Sequence, residues 1–536
     1  MPPPEPPGDA RRLRVARPTR RAQNPAVSRS ASDDPAQQSA GLPVATWLIA
    51  GSVTVALLAV AGGYGFHRDE MYFVLAGRHP DFGYVDQPPL TPLLSAAVTA
   101  LLGLSPFAVR VVPAFAGGLV VIVAADMARR MGASRLGQAL AALVLGISGW
   151  LGAGHLDETA TFDIMFWTIA LWLLIPALGR EQSASGRPVL SQPWRWVAIG
   201  LVMGLALENK TLAIALPATV GASLVLVRRW DVFRSPWPWV AALLGLAIWT
   251  PNVVWQATHG FSQLTMAGHI VAEQGGLEGR LKAIAELLAL SGPALFPVAI
   301  GGVVWLVRSS AAKPWRALGV AAGLQIGLMI VIGGKSYYSA GFLPLAIAAG
   351  SIPLSTWLKS GRRSLRRATF GVAAVASGAA AAVLLLPIVP VDHLYATPIP
   401  ALYGESVAQV GWPELAAQVA VIVHGLPAED RADAVIVTAS YGQYSALTLL
   451  GHDLPPVISG HNSAFDWGRP ADTARPVIVV GYGRQNADYY FEGCRSVATV
   501  DNGYDLPTEE QGTPIWICTG PKSPWRLSWP LMRHVN

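Results

Sequence analysis

Charge is what this 536-residue chain has least of: Asp, Glu, Lys and Arg make up 13% of it, against 52% hydrophobic residues and a mean hydropathy of +0.40. Soluble domains run nearer a quarter charged, so the scarcity excludes an ordinary water-soluble enzyme and indicates a polytopic membrane protein. The net charge is still +6 and the pI 9.4. Nucleic acid is not the reason, because the basic residues sit in an N-terminal tail and in short loops between apolar runs. Cysteine is nearly absent too: Cys494 and Cys518 are the only two. No group of residues has convincing metal-ligand spacing, and His67 and His79 lie twelve apart in one loop. Residues 1–42 lack any long apolar run and are rich in Pro, Arg, Ser and Ala. That excludes a cleaved signal peptide and predicts a disordered basic tail in the cytoplasm. An internal repeat is also missing, which weighs against a transporter or flippase of lipid-linked sugars, the alternative reading of so many apolar runs.

What is present is a series of spans at roughly 43–62, 107–127, 136–153, 162–178, 195–208, 211–227, 237–255, 286–307, 317–333, 339–357 and 369–390. These are about eleven, each near the length that crosses a bilayer. The run 89–104 begins at Pro88-Pro89 and reads as a re-entrant or interfacial helix. Every second loop is basic: Arg129, Arg130 and Arg135; Arg180, Arg187 and Arg195; Arg228, Arg229 and Arg234; Arg308, Lys313 and Arg316; then Lys359 to Arg367. This pattern predicts a multi-pass plasma (inner) membrane protein of bacterial type, N-terminus cytoplasmic and residues 391–536 outside. Against that bias Arg68, Arg78, Arg110, Lys210, Arg280, Lys282 and Lys335 fall on the outer side, where each is a candidate to meet an anion.

Four outer segments concentrate polar chemistry. The first, 64–90, carries Asp69, Glu70, Asp81 and Asp86 beside His67, Arg68, Arg78 and His79. Such charges belong at the membrane surface, and the apolar stretch Met71–Leu75 predicts a short interfacial helix holding the carboxylates against the bilayer. Asp69 and Glu70 are adjacent and do not share a helix face. One is expected in the cavity, the other bracing the loop against Arg68 or Arg78. The second segment places His155, Asp157, Glu158 and Asp163 at the start of a span; Asp163 faces the bundle or caps the helix. The third is Glu208-Asn209-Lys210-Thr211, whose lysine suits a lipid phosphate or snorkels to the interface. The fourth, Lys335-Ser336-Tyr337-Tyr338, sets a cation and two phenols at one depth, for a phosphate or as part of an aromatic belt. Carboxylates beside membrane-level cations suit attack by an acceptor hydroxyl on a sugar whose leaving group is a lipid phosphate.

Taken in order, Asp69-Glu70, Asp86-Gln87-Pro88-Pro89-Leu90, Asn209-Lys210 and Lys335-Ser336-Tyr337-Tyr338 before Pro344 resemble glycosyltransferase family 39, from about residue 43 onward. This family holds protein mannosyltransferases and aminoarabinose transferases. The resemblance implies a polytopic α-helical GT-C membrane domain over 43–390. It implies a polyprenyl-phosphate sugar as donor and a protein, lipid or cell-wall glycan as acceptor, with inversion at the anomeric carbon. It makes Asp69 the base, with Glu70 beside it. Asp86, Gln87, His155, Asp163, Lys210, Lys335, Tyr337 and Tyr338 would bind donor phosphate or substrate. Related lipid A transferases carry a Lys where Gln87 stands, which removes that contact from the comparison. Some relatives hold a metal, so a divalent ion is allowed by the resemblance but not required by any spacing here.

Residues 391–536 differ in texture, with 15 acidic against 8 basic side chains. Apolar runs at 434–440, 476–483 and 514–520 read as buried strands and 441–450 as a helix, a compact extracytoplasmic α/β domain. His461 and Asn462, in the loop 459–468, are candidates to contact the acceptor, with a structural turn the alternative. Cys494 and Cys518 are expected to pair in an oxidising compartment.

Overall fold

The computed structural model describes residues 1–2, 41–179, 192–274 and 276–535; the expected tail, Arg180 and Arg187 fall outside them. Helices dominate up to residue 385. Six described helices are long and apolar enough to cross a membrane: Pro106–Arg130, Thr159–Leu178, Trp237–Thr258, Lys313–Ile332, Ser336–Lys359 and Arg363–Leu385. Shorter apolar helices, among them Val44–Val60, Leu90–Leu102 and Arg135–Gly146, pack beside them.

Two runs expected to be continuous are broken. The run 136–153 divides into Arg135–Gly146 and Trp150–His155, and 286–307 into the end of Leu277–Leu290 and Phe296–Arg308. The cause is local: Ser148-Gly149 interrupts one, and Ser291-Gly292-Pro293, with Gly292 at φ +94°, interrupts the other. The breaks also satisfy one another. Gly149 N–H donates to Leu290 O at 2.8 Å, and a Cβ on Gly149 would stand 2.7 Å from Leu290 Cα. Ala294 N–H finds Ser377 Oγ at 2.9 Å. Irregular backbone persists at membrane depth only where neighbours take its hydrogen bonds.

At one end of the bundle Arg229 ties neighbouring segments together, donating to Leu178 O at 3.2 Å and Pro314 O at 3.3 Å. At the other end sits an α/β unit. Its strands are β1 (Val435–Thr438), β2 (Val457–Ser459), β3 (Val477–Val480), β4 (Phe491–Glu492), β5 (Arg495–Thr499), β6 (Pro514–Cys518) and β7 (Gly520–Pro521). The main sheet runs β2-β1-β3-β6-β5, parallel between β2, β1 and β3 and antiparallel beyond, while β4 pairs with β7. The β-branched runs of β1 (VIVT) and β3 (VIVV) are buried on both faces, as central parallel strands require. Cys494 and Cys518 form a disulfide beside β5 and β6.

The short helix in the first loop exists, Arg68–Arg78, but it does not lie on the bilayer. Met71 and Val74, with Phe66 and Val109 of the bundle, share a core with Trp412, Leu415, Ile436 and Val480 of the α/β unit. The apolar face thus binds protein instead of lipid. The helix becomes the joint between the two parts of the molecule.

Candidate active site

The first-loop helix is fixed at its N-terminus by a capping box: Asp69 N–H donates to His67 Nδ1 at 3.3 Å, and His67 N–H to Glu70 Oε2 at 2.8 Å. Glu70 is fully buried, and its partner is neither Arg68 nor Arg78 as expected but Arg110, itself 1% exposed. The guanidinium grips both carboxylate oxygens at 2.8 Å and also reaches Ala61 O, Gly63 O, Gly65 O and Gln409 Oε1. Asp157 N–H adds a bond to Glu70 Oε1 at 3.1 Å. A carboxylate so occupied holds the loop and has no oxygen to spare for a substrate proton.

Asp69 faces the other way, with 30% of its side chain exposed. Its Oδ1 accepts from Tyr441 of the α/β unit at 2.7 Å, and its Oδ2 has no hydrogen-bond partner among the described residues. Asp86 lies nearby, taking Tyr72 O–H at 3.0 Å. Burial raises Asp86 to about 7, with the Tyr72 hydrogen bond opposing and the charge of Asp69 adding to the rise. The rings of Tyr72 and Tyr441 pack 4.9 Å apart, so the two carboxylates are held by neighbouring phenols. Loop 459–468 closes over this pair. Ser463 N–H donates to Tyr72 Oη at 3.3 Å, Ser463 Oγ accepts from Val85 N–H at 2.9 Å, and Trp467 packs 5.6 Å from Tyr72. His461 accepts from Tyr441 N–H, and Asn462 N–H donates to His534 O. Gln87 is buried with its side-chain nitrogen unpartnered.

Lys210 and Lys335 approach from two other segments. Lys210 Nζ lies 4.8 Å from the Tyr337 ring and 5.1 Å from that of Tyr338, and Lys335 Nζ 6.0 Å from Tyr337. Each ammonium is within electrostatic reach of carboxylates, Asp163 and Glu158 for Lys210 and Glu405 for Lys335, but neither forms a close ion pair among the described residues. Asp163 is buried one turn inside its helix; the cap position belongs to Glu158, so the capping alternative for Asp163 does not hold. Tyr337 is within electrostatic reach of Asp69, Glu158 and Glu405. His155 is buried beside Arg110 and Gln409.

Four contributors were missed in the sequence: Tyr441, Tyr72, Arg110 as a partner, and Glu405. His67 Nε2 lies 2.9 Å from Glu405, and Nδ1 3.9 Å from Glu158. Burial opposes charge on His67, but the Glu405 hydrogen bond and the charges of Asp69, Glu405 and Glu158 outweigh it and raise the imidazole to about 9. Burial would raise Glu405 as well; the bond and charge from His67 hold it down at about 2. Burial, tempered by His67, lifts Glu158 to about 7. One ligand atom from each of these three residues falls within 4.8 Å of the others, and the imidazole, once it gives up its proton, fits a divalent cation together with two carboxylates.

Solved structures share this architecture. The crystal structure of ArnT from Cupriavidus metallidurans in the apo state superposes with a TM-score of 0.58 at 15% identity, covering 88% of this chain and 97% of that one. ArnT from the same organism bound to undecaprenyl phosphate gives 0.54 at 14%, with the same coverage. The fold is that of the GT-C glycosyltransferases. Residues 86–255 also match the family model for dolichyl-phosphate-mannose-protein mannosyltransferases, a stretch that includes Asp86, Gln87, His155, Asp163 and Lys210. The resemblance read from the motifs is therefore matched in the fold and, over 86–255, by the family model, and no curated protein matches the chain significantly. Asp69 and Lys335 lie outside the stretch that the family model matches.

Proposed function

We propose that this chain is a membrane glycosyltransferase that moves a sugar from a polyprenyl phosphate to a hydroxyl acceptor outside the cytoplasm, with inversion. The observation that carries the reading is Asp69, with one carboxylate oxygen free of hydrogen bonds among the described residues, within electrostatic reach of Tyr337, against which Lys210 and Lys335 lie with no close ion pair among those residues. Asp69 Oδ2 takes the proton of the acceptor hydroxyl as its oxygen bonds to the anomeric carbon. The bond from that carbon to the phosphate oxygen breaks, and the electron pair leaves on the phosphate. Lys210 and Lys335, aided by the Tyr337 and Tyr338 hydroxyls, offset that charge. Base assistance of this kind supplies about 10²–10⁴ in rate, and charge stabilisation is a separate term.

The lipid half of the donor also has a place to go. A cavity of about 320 Å³, almost wholly apolar, runs from Leu207 and Ile214 beside Lys210 past Met203 and Trp196 to Phe233 and Trp239. An isoprenoid tail fits that lining, and undecaprenyl phosphate is the ligand of one ArnT structure. A divalent cation held by His67, Glu158 and Glu405 would add positive charge near the leaving phosphate. The sequence has no internal repeat of the kind that would favour the transporter alternative. Mass spectrometry of cell-envelope glycans, lipids and glycoproteins with and without the gene tests the reading. One sugar should vanish from one acceptor class, and an unchanged envelope would contradict it.

A further inference from the structure

The α/β unit is more than a cover. Its sheet begins β2-β1-β3, so the strand order reverses at β1, and the carboxyl ends of these parallel strands form the crevice where such sheets present functional groups. The turn after β1, Ser440-Tyr441-Gly442-Gln443, points that crevice at the first loop of the bundle. Ser440 and Gln443 close a capping box that sets the helix Tyr441–Leu450, and Tyr441 N–H is tied to His461 Nδ1 at 3.2 Å. A Cβ on Gly442 would stand 3.0 Å from the Trp412 ring and 3.4 Å from Arg68 Cβ, so this residue type lets the turn come down onto the loop. The Tyr441 ring is wedged between Tyr72 at 4.9 Å and His461 at 5.0 Å. Its hydroxyl is thereby held on Asp69 Oδ1.

We infer that Tyr441 is a positioning residue for the reaction: by donating to Oδ1 it fixes the rotation of the Asp69 carboxylate and leaves Oδ2 aimed at the acceptor proton. This rests on the transferase reading above. A carboxylate free to rotate samples unproductive orientations, so loss of the bond lowers turnover without touching the donor phosphate site. The two ends of the contact come from residues 372 apart. The catalytic site is thus complete only when the α/β unit is docked.

The test is a double-mutant cycle on the full-length protein in lipid nanodiscs. Radiolabelled mannosyl-, galactosyl- and arabinosyl-phosphoryl decaprenol serve as donor probes and envelope membranes as acceptor, the readout being label leaving the lipid phase. Tyr441→Phe keeps the ring and its packing, so the melting temperature should hold while kcat falls about 10-fold at unchanged donor KM. Adding Tyr441→Phe to Asp69→Asn should cost nothing further, since the residue that it orients has already lost its function. Full turnover in Tyr441→Phe, an equal loss in both backgrounds, or a loss confined to donor KM would overturn the inference. Wild-type turnover in Asp69→Asn would instead strike the proposed base, and no turnover of any donor by the wild type would remove the reaction and this role with it.

Discussion

Two adjacent carboxylates, Asp69 and Glu70, have opposite surroundings because consecutive helix positions point about 100° apart. Glu70 turns inward to Arg110 and Asp69 outward to the site. The split was legible in the sequence, and so was the oddity of Arg110, an outer arginine against the positive-inside trend. Their pairing was not, because the first loop offered Arg68 and Arg78 nearer in sequence, and only the fold brings a residue 40 positions away to Glu70. Removing one member of a buried ion pair strands the other, at a cost of about 3–5 kcal/mol. Glu70→Gln should therefore lower the melting temperature sharply, whereas Asp69→Asn should not. Equal melting temperatures for Glu70→Gln and wild type, followed by intrinsic fluorescence, would contradict the strut role. Lys210→Ala and Lys335→Ala should raise the apparent donor KM, and lower kcat if the contact strengthens as the phosphate leaves. Unchanged donor kinetics in both would leave the lysines to snorkelling.

Among elements, the Arg68–Arg78 helix teaches most. Its aromatic and apolar composition fits an interfacial helix as well as a buried joint, and composition cannot separate the two. What decides is the apolar surface of a domain hundreds of residues later. The same holds for Tyr441: a helix at 441–450 after a strand was readable, but that its first residue reaches Asp69 was not. The available signal was positional, since loops at the carboxyl ends of parallel strands carry function. The broken helices had a visible signal in Ser-Gly and Ser-Gly-Pro, outweighed in the reading by hydropathy. The Cys494–Cys518 disulfide ties β5 and β6 outside the bundle. Thiol labelling of the denatured, unreduced protein should find neither cysteine free, and Cys494→Ala should cost the α/β unit about 2–5 kcal/mol. Two labelled thiols would contradict the disulfide.

For the whole molecule, the membrane class was legible because scarce charge and long apolar runs are properties of composition. The site's assembly from the first loop, Glu158, Lys210, Lys335, Glu405 and the α/β unit is a property of packing, and only the separate motifs could be read in advance. Arg229 of one basic loop reaches the segments at Leu178 and Pro314. From the positive-inside pattern we propose that the α/β unit lies outside the cytoplasm. A C-terminal fusion to a phosphatase active only outside the cytoplasm should be active, and activity of a cytoplasm-only reporter in its place would move the site to the wrong face. The most direct test of the central claim is turnover by purified full-length protein, wild type against Asp69→Asn, supplied with a labelled polyprenyl-phosphate sugar and acceptor membranes. Transfer by the wild type, with a loss of about 10²-fold or more in Asp69→Asn at intact donor binding, is the expected result. Near-normal turnover in Asp69→Asn would contradict it and pass the base to Asp86 or Asp163.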